Sequence, residues 1–419
     1  MTAASDHLSD LAAFVEASPS SYHAAAEAVT RLKAAGFTEL DEREPFTDVS
    51  GDRFVRRHGA VVAWRAPEKL TRSSSFRIVG AHTDSPAFKV KPTPMFTSAG
   101  WTQVAVEVYG GPLLNSWLDR ELGLAGRIVT LDGDEHLVQT GSVLRIPQLA
   151  VHLDRQVNTE GLKLDAQAHT QPICAIGDAD VLQMLADQAK VKVDDIGYHD
   201  LYTFTTQKPA RFGVRDEFFA SSRLDNLSST QAGLVALLSA DLGSDISVFV
   251  AFDHEEIGSG TTSGAQGTLL GVMLQRIAAG FGLDLDATLA MWARSLCVSA
   301  DAGHLVHPNY VAKHDPHNQP QPGGGPLLKI NAQQRYATDA SGGAAFARAC
   351  KDAGVPMQYF VSNNTMPCGS TIGPITASRL GIATVDVGIG LLSMHSAREM
   401  CAADDPWLLT RALTAFYSA

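Results

Sequence analysis

The sequence predicts an α/β fold: a mixed sheet with helices on both faces, interrupted by a mainly β insertion. Three observations carry this. Apolar strand-like runs alternate with amphipathic stretches at the start of the chain and again after residue 218, the rhythm of a sheet covered on both sides. Between about 88 and 218 that rhythm gives way to alternating, β-branched segments with Gly and Asp at the turns. The chain has 419 residues, room for two domains at roughly 100–200 residues each. The expected division is 1–87 with 219–419 as a discontinuous α/β domain, and 88–218 as the insertion.

Residues 5–35 read as two helices; in the second, SYHAAAEAVTRLKAAGF, a serine opens and a glycine closes an apolar run at helical spacing. FRIVGAHTDSP is an apolar strand that ends in polar residues, the pattern of a buried strand with its chemistry at the C-terminal end. Within the insertion, TQVAVEVYG, GRIVTLDG, HLVQTGSVLRI and YTFTTQK read as strands, and DADVLQMLADQAK as a helix. After 218 the order is helix (NLSSTQAGLVALLSA), strand (ISVFVAFD), helix (AQGTLLGVMLQRIAAGF), strand (LCVSAD), helix (GAAFARACKDAG), strand (MQYFV), helix (ITASRLG) and strand (ATVDVG). The stretch 313–326, KHDPHNQPQPGGGP, is a loop. No internal repeat is visible.

Composition narrows the function. Hydrophobic residues make up 45% and charged residues 19%, the balance of a packed globular chain. A net charge of -12 repels phosphate backbones and argues against nucleic acid as a partner. Cys174, Cys297, Cys350, Cys368 and Cys401 form no CxxC pair, and an odd, widely spaced set suits a reducing compartment. The N-terminal stretch has acidic residues where a signal peptide would be basic and apolar, and no run approaches the ~18 apolar residues of a membrane span. The expected setting is cytoplasmic, with no membrane partner.

Five short clusters carry chemistry. His82 and Asp84 leave a buried strand at positions i and i+2, which point the same way. That suits a metal-bound imidazole oriented by a carboxylate, or an ordinary polar turn. Asp225, in Ser222–Asn226 before a helix, reads either as an N-cap or as a carboxylate between two cations. Asp253-His254-Glu255-Glu256 closes the apolar strand ISVFVAF; its adjacent carboxylates repel, and a cation would relieve them. Consecutive side chains diverge, so one glutamate can bind metal while the other handles a proton, unless the segment is simply a solvated acidic loop. Asp301 and His395 follow two further strands. In an open sheet such ends converge on one crevice. Two histidines and three carboxylates, one of them shared, make a dinuclear zinc site. The HExxH, G-x-S-x-G and Walker A patterns are absent.

GAHTDSP, SSRLDN, DHEEIGS, SADAGHLVHPNY, TMPCGSTIGP and SMHSARE occur in that order, and with them the sequence resembles the aspartyl aminopeptidase family of co-catalytic zinc peptidases, nearly end to end and with the insertion included. The resemblance implies two zinc ions per subunit, with cobalt or manganese tolerated by the same ligands. His82 and Asp301 would hold one and Glu256 and His395 the other, with Asp225 bridging them, Glu255 as general base and Asp84 orienting His82. It also implies a cis peptide at Asp225–Asn226. His152, in RIPQLAVHLDR, is expected to reach the neighbouring subunit's site. Lys329, Tyr336, Gly369, Ser370 and Thr371 are expected to line the substrate site, with His304 and His307 nearby, whereas His314 and His317 read as surface residues. The implied activity is removal of an N-terminal residue, preferably Asp or Glu, from peptides with a free N-terminus, with Lys329 as the cation that reads the acidic side chain. The implied assembly is a homo-oligomer, a tetrahedral dodecamer of dimers joined through the insertion. A neutral aminopeptidase, deacylase or carboxypeptidase could share the ligand set. A non-enzymatic zinc protein is the remaining alternative, against which the intact Glu255 argues.

Overall fold

A nine-stranded mixed sheet organises the α/β part of the computed structural model, which describes residues 3–241 and 243–419; residues 1, 2 and 242 of the expected α/β domain lie outside that description. At its centre three strands run parallel side by side: Ile246–Phe252, Phe76–His82 and Leu296–Ala300. Ile246–Phe252 is buried at every position, as expected where helices cover both faces. Ala383–Gly388 continues the parallel order. Beyond it Leu327–Ile330 runs antiparallel, followed by Gln358–Val361. On the other flank the hairpin Gly51–Arg57/Ala60–Ala66, not among the strands expected from the sequence, joins antiparallel to Ile246–Phe252.

Successive strand residues point to opposite faces, and the core divides accordingly. Val79, Phe249, Val298 and Val385 pack with the helices Ala3–Ala17, Ser21–Ala34, Leu224–Ser239, Ala340–Asp352 and Asp405–Tyr417. Ile78, Val248 and Val250 pack on the other side with Leu269–Gly280, Leu285–Arg294 and Ile372–Leu380. Helices therefore lie on both faces, as the alternation predicts. Among the described helices of the α/β part, two went unread in the sequence, Leu285–Arg294 and Asp405–Tyr417. Caps match the composition of the helix starts: Ser20 accepts from the His23 N–H, Asp284 from Ala287 at 2.8 Å and Asp339 from Gly342 at 2.7 Å.

A second sheet of seven strands is drawn entirely from residues 87–205. Ile196–Thr205 pairs with both Ala87–Ser98 and Glu121–Thr130, so the sheet closes on itself around Phe88, Val106, Leu124, Ile128 and Leu201. Gly126 sits at this closure: a Cβ there would come within 1.9 Å of the Asp200 carbonyl, and its φ of +155° also suits glycine. The expected helix appears as Val181–Ala189, capped by Asp180. The chain returns to the α/β part through Ala210–Phe212 and Phe218–Ser221, which pair with each other, the latter also with Glu399–Ala402. No helix among the described residues is long and apolar enough to cross a membrane.

Candidate metal centre

The three central parallel strands end level with one another, with Phe252 opposite His82 and Ser299 opposite Gly80. Their C-terminal exits deliver His82 and Asp84, then Glu255 and Glu256, then Asp301 into one crevice. His254 takes a left-handed φ of 66°, which turns the chain out of its strand and into the short helical turn carrying the two glutamates. Asp225 arrives from the first turn of Leu224–Ser239, where the Asp225–Asn226 peptide is cis as the resemblance implies. Asn226 anchors that turn by donating to the Ala300 carbonyl at 2.9 Å. His395 comes from the loop before Glu399–Ala402.

These side chains form three overlapping groups, two of which share Asp225. His82, Asp225 and Asp301 make the first of these two, and Asp225, Glu256 and His395 the second; His82, Glu255 and Glu256 make the remaining group. In each of the three the candidate ligand atoms lie within 4.8 Å of one another. Asp225 faces both ways: Oδ1 is 3.5 Å from His82 Nε2, and Oδ2 is 3.4 Å from His395 Nε2. Asp301 Oδ1 lies 3.7 Å from His82 Nε2, and Glu256 Oε2 lies 3.4 Å from His395 Nε2. Glu255 stands at the rim of the first group, its Oε2 3.9 Å from His82 Nε2.

The electrostatics are those of a strongly anionic, buried site. Burial raises Glu255 to about 8, reinforced by Asp301, Asp84 and Asp225 and opposed by His82. Burial and Asp225 push Glu256 well above the usual carboxyl range. Burial disfavours the charge on Asp225, but His395 and His82 outweigh it and hold that carboxyl well below its ordinary value. Burial also works against a charged His82, yet Asp225, Asp301 and Asp84 raise it well above 6.5. The donor set fits divalent cations on a direct test. Asp225 Oδ1 and Glu256 Oε1 are buried and accept no hydrogen bond, and buried oxygens of this kind otherwise need a partner. A cation at each of the two groups that share Asp225 would displace the imidazole protons and restore charge to the glutamates.

An open pocket of about 440 Å³ joins the metal groups to the expected substrate residues. It is lined by Asp225, Glu255, Glu256, Asp301 and His395, and by Lys329, Tyr336, Gly369, Ser370 and Thr371. Lys329 is buried, donates to the Ala302 carbonyl at 3.2 Å, stands 3.9 Å from Asp301 Oδ2 and lies 4.9 Å from the centre of the Tyr336 ring. His304 lines the same pocket. His307, His314 and His317 are not in its lining; the His307 N–H donates to the His314 ring. His152 is exposed on a turn of the insertion, apart from its own chain's pocket.

A model of the aminopeptidase I zinc metalloprotease family, M18, matches residues 14–417. The chain belongs to this family. A probable M18 family aminopeptidase 2 from Streptomyces coelicolor is 52% identical, covering 98% of this chain and 97% of its own. Among solved structures, Ape4 in its complex with Nbr1 is 32% identical with a TM-score of 0.95, over 99% of this chain and 86% of that one. The S. cerevisiae mApe1 dodecamer is 28% identical with a TM-score of 0.86, over 99% and 96%.

In this M18 zinc aminopeptidase several residues around the site escaped the sequence reading. Glu399 spans two ligand-bearing segments, its Oε2 accepting from the Asp225 N–H at 3.0 Å and its Oε1 from the His395 N–H at 2.7 Å. It lies within the SMHSARE segment, four residues after His395, so spacing could have flagged it. Asp386 is fully buried under the pocket wall and accepts from Ser299, Thr371 and the Ala337 N–H. Tyr109 and Gly111 belong to the insertion yet touch the metal groups: the Tyr109 hydroxyl donates to Asp84 Oδ2 at 2.8 Å, and the Gly111 carbonyl lies 2.9 Å from His395 Nδ1. Nothing in the local sequence marks either.

Proposed function

We propose that the protein removes N-terminal residues, preferentially Asp or Glu, from peptides with a free N-terminus, using two zinc ions bridged by Asp225. The observation that carries this reading is the pair of donor groups sharing one carboxylate, with Glu255 beside them. His82 and Asp301 hold one ion with Asp225, and Glu256 and His395 hold the other. Cobalt and manganese suit the same ligands. Zinc, when bound, supplies a Lewis acid for the scissile carbonyl and makes a nearby water more acidic. Glu255 takes the proton from the attacking water and delivers it to the leaving amine. Asp84 holds His82 in place, its Oδ1 3.4 Å from His82 Nδ1, while accepting the N–H groups of Glu255 at 3.0 Å and Glu256 at 3.1 Å. The surplus of carboxylates receives the substrate's terminal ammonium.

The acidic preference rests on Lys329, a buried cation on the wall of the pocket. Gly369, Ser370, Thr371 and Tyr336 shape the remaining wall. The assembly is proposed as a tetrahedral dodecamer of dimers, with residues 88–218 as the dimerisation domain on the α/β domain of 1–87 and 219–419. In that assembly His152 reaches a neighbouring subunit's pocket, and its exposure on the insertion supports this reading. The acidic charge and unpaired cysteines support a cytoplasmic setting. The test of the mechanism is Glu255→Gln. Turnover should fall ~10²–10⁴-fold, the usual scale of a lost general base, while zinc content and folding stay intact. Retained turnover would remove Glu255 from the mechanism.

A further inference from the structure

The strand Trp101–Tyr109 of the insertion ends against the metal groups, and its last turn contacts both halves of the site. On one side Tyr109, 7% exposed, donates its hydroxyl to Asp84 Oδ2. Asp84 is the carboxylate behind His82, and it also receives the Glu255 and Glu256 N–H groups. On the other side, two residues on, the Gly111 carbonyl meets Nδ1 of His395 at 2.9 Å. Gly110 lies between them with a φ of +71°, and a Cβ there would come within 3.1 Å of Glu256 Cβ. A backbone able to touch Glu256 and His395 at once therefore needs a residue without a side chain.

We infer that Tyr109–Gly111 is a positioning element for both metal groups, so that the insertion sets the zinc affinity of the α/β part. This rests on the dinuclear reading above. An imidazole that binds metal through one nitrogen is aimed by the partner of its other nitrogen. His82 takes that partner from Asp84, whose backbone carbonyl lies 3.0 Å and carboxylate Oδ1 3.4 Å from His82 Nδ1, and whose Oδ2 is held by the Tyr109 hydroxyl together with the Glu256 N–H. His395 takes it from Gly111 itself. One short turn thus meets both ligand histidines, His82 by way of Asp84 and His395 directly. None of these three residues is proposed to touch substrate or metal.

The test follows zinc release from the zinc-loaded, full-length protein into excess chelator, with zinc counted by elemental analysis. Tyr109→Phe keeps the ring and its edge contact with Tyr202, 5.1 Å between centroids, and loses only the hydroxyl. Zinc affinity should fall ~10-fold, the lower end of the cost of losing a direct partner of a metal ligand, because the hydroxyl acts on His82 through Asp84. Phe88→Leu loosens the same core, where Phe88 packs edge-on against Trp117, and should leave zinc affinity unchanged. Gly110→Ala presses on Glu256 and should loosen zinc as well; it decides the matter if Tyr109→Phe does not fold. Wild-type zinc retention in the tested variant overturns the inference, as does equal loosening in Phe88→Leu. A wild-type protein that holds no zinc would overturn the dinuclear reading itself, and this inference with it.

Discussion

Replacing Asp386 by leucine keeps the branched shape, with bulkier methyl groups in place of the oxygens, and strands three buried donors. Its Oδ1 accepts from Ser299 Oγ at 2.7 Å and from Thr371 Oγ1 at 2.5 Å, and its Oδ2 from the Ala337 N–H at 2.6 Å. The three donors belong to the strand leading to Asp301, the loop before Ile372–Leu380, and the segment just after Tyr336. Each stranded donor costs about 1–3 kcal/mol, so Asp386→Leu should destabilise the protein by at least ~3 kcal/mol. Asp386→Asn should cost only about 1–2 kcal/mol. Its carboxamide oxygen still accepts from Ala337, and the two hydroxyls can turn to accept from its NH₂ group. Because the bonded segments line the pocket, the leucine variant should also raise KM for peptides. Urea denaturation of the zinc-saturated variants, with steady-state kinetics alongside, measures both effects. A leucine variant no less stable than the asparagine variant would refute the reasoning.

Two further perturbations follow. Lys329→Ala should lower the ratio of kcat/KM for N-terminal Asp over Leu by ~10–100-fold, the equivalent of one lost charge-assisted bond at about 1.5–3 kcal/mol; an unchanged ratio would move acidic recognition elsewhere. Burial depresses His7 to about 4, outweighing the opposing pull of Asp10, and burial with Arg223 and Arg56 depresses His23 to about 4. An unfolded histidine takes its proton near 6.5, so between pH 6.5 and 4 the unfolded chain binds more protons and stability falls as pH falls. Each histidine contributes up to roughly 3 kcal/mol to this loss. The urea midpoint of His7→Gln should accordingly drop less steeply over that range than the wild type's; parallel profiles would show that His7 is not buried neutral.

The metal groups were legible because each residue follows a strongly apolar strand or opens a helix. His82, Glu255, Glu256 and Asp301 stand where a buried run turns polar, and an α/β sheet gathers such ends in one place. What escaped acts across the chain. Tyr109 sits in an alternating insertion strand and looks like any core aromatic, and its bond to Asp84 depends on how two sheets meet. Asp386 interrupts the apolar strand Ala383–Gly388, where a charge reads as a defect until three donors from distant segments surround it. In the hairpin Gly51–Arg57/Ala60–Ala66 the first strand was hidden by three partly exposed arginines, whereas the second, apolar and almost wholly buried, was readable and missed. Asp405–Tyr417 was readable and missed: Leu409, Ala412, Leu413 and Phe416 recur at helical spacing, and all are buried. The antiparallel placing of Leu327–Ile330 is a matter of topology, which local periodicity does not encode.

The most direct test of the central claim is hydrolysis of matched Asp-, Glu- and Leu-peptides, free and N-acetylated, by protein of measured zinc content, with and without chelator. The expected result is two zinc ions per chain and release of N-terminal Asp or Glu from free peptides only, abolished by chelation and restored by zinc. Cleavage of the acetylated peptides alone, or undiminished turnover after zinc removal, would contradict the account.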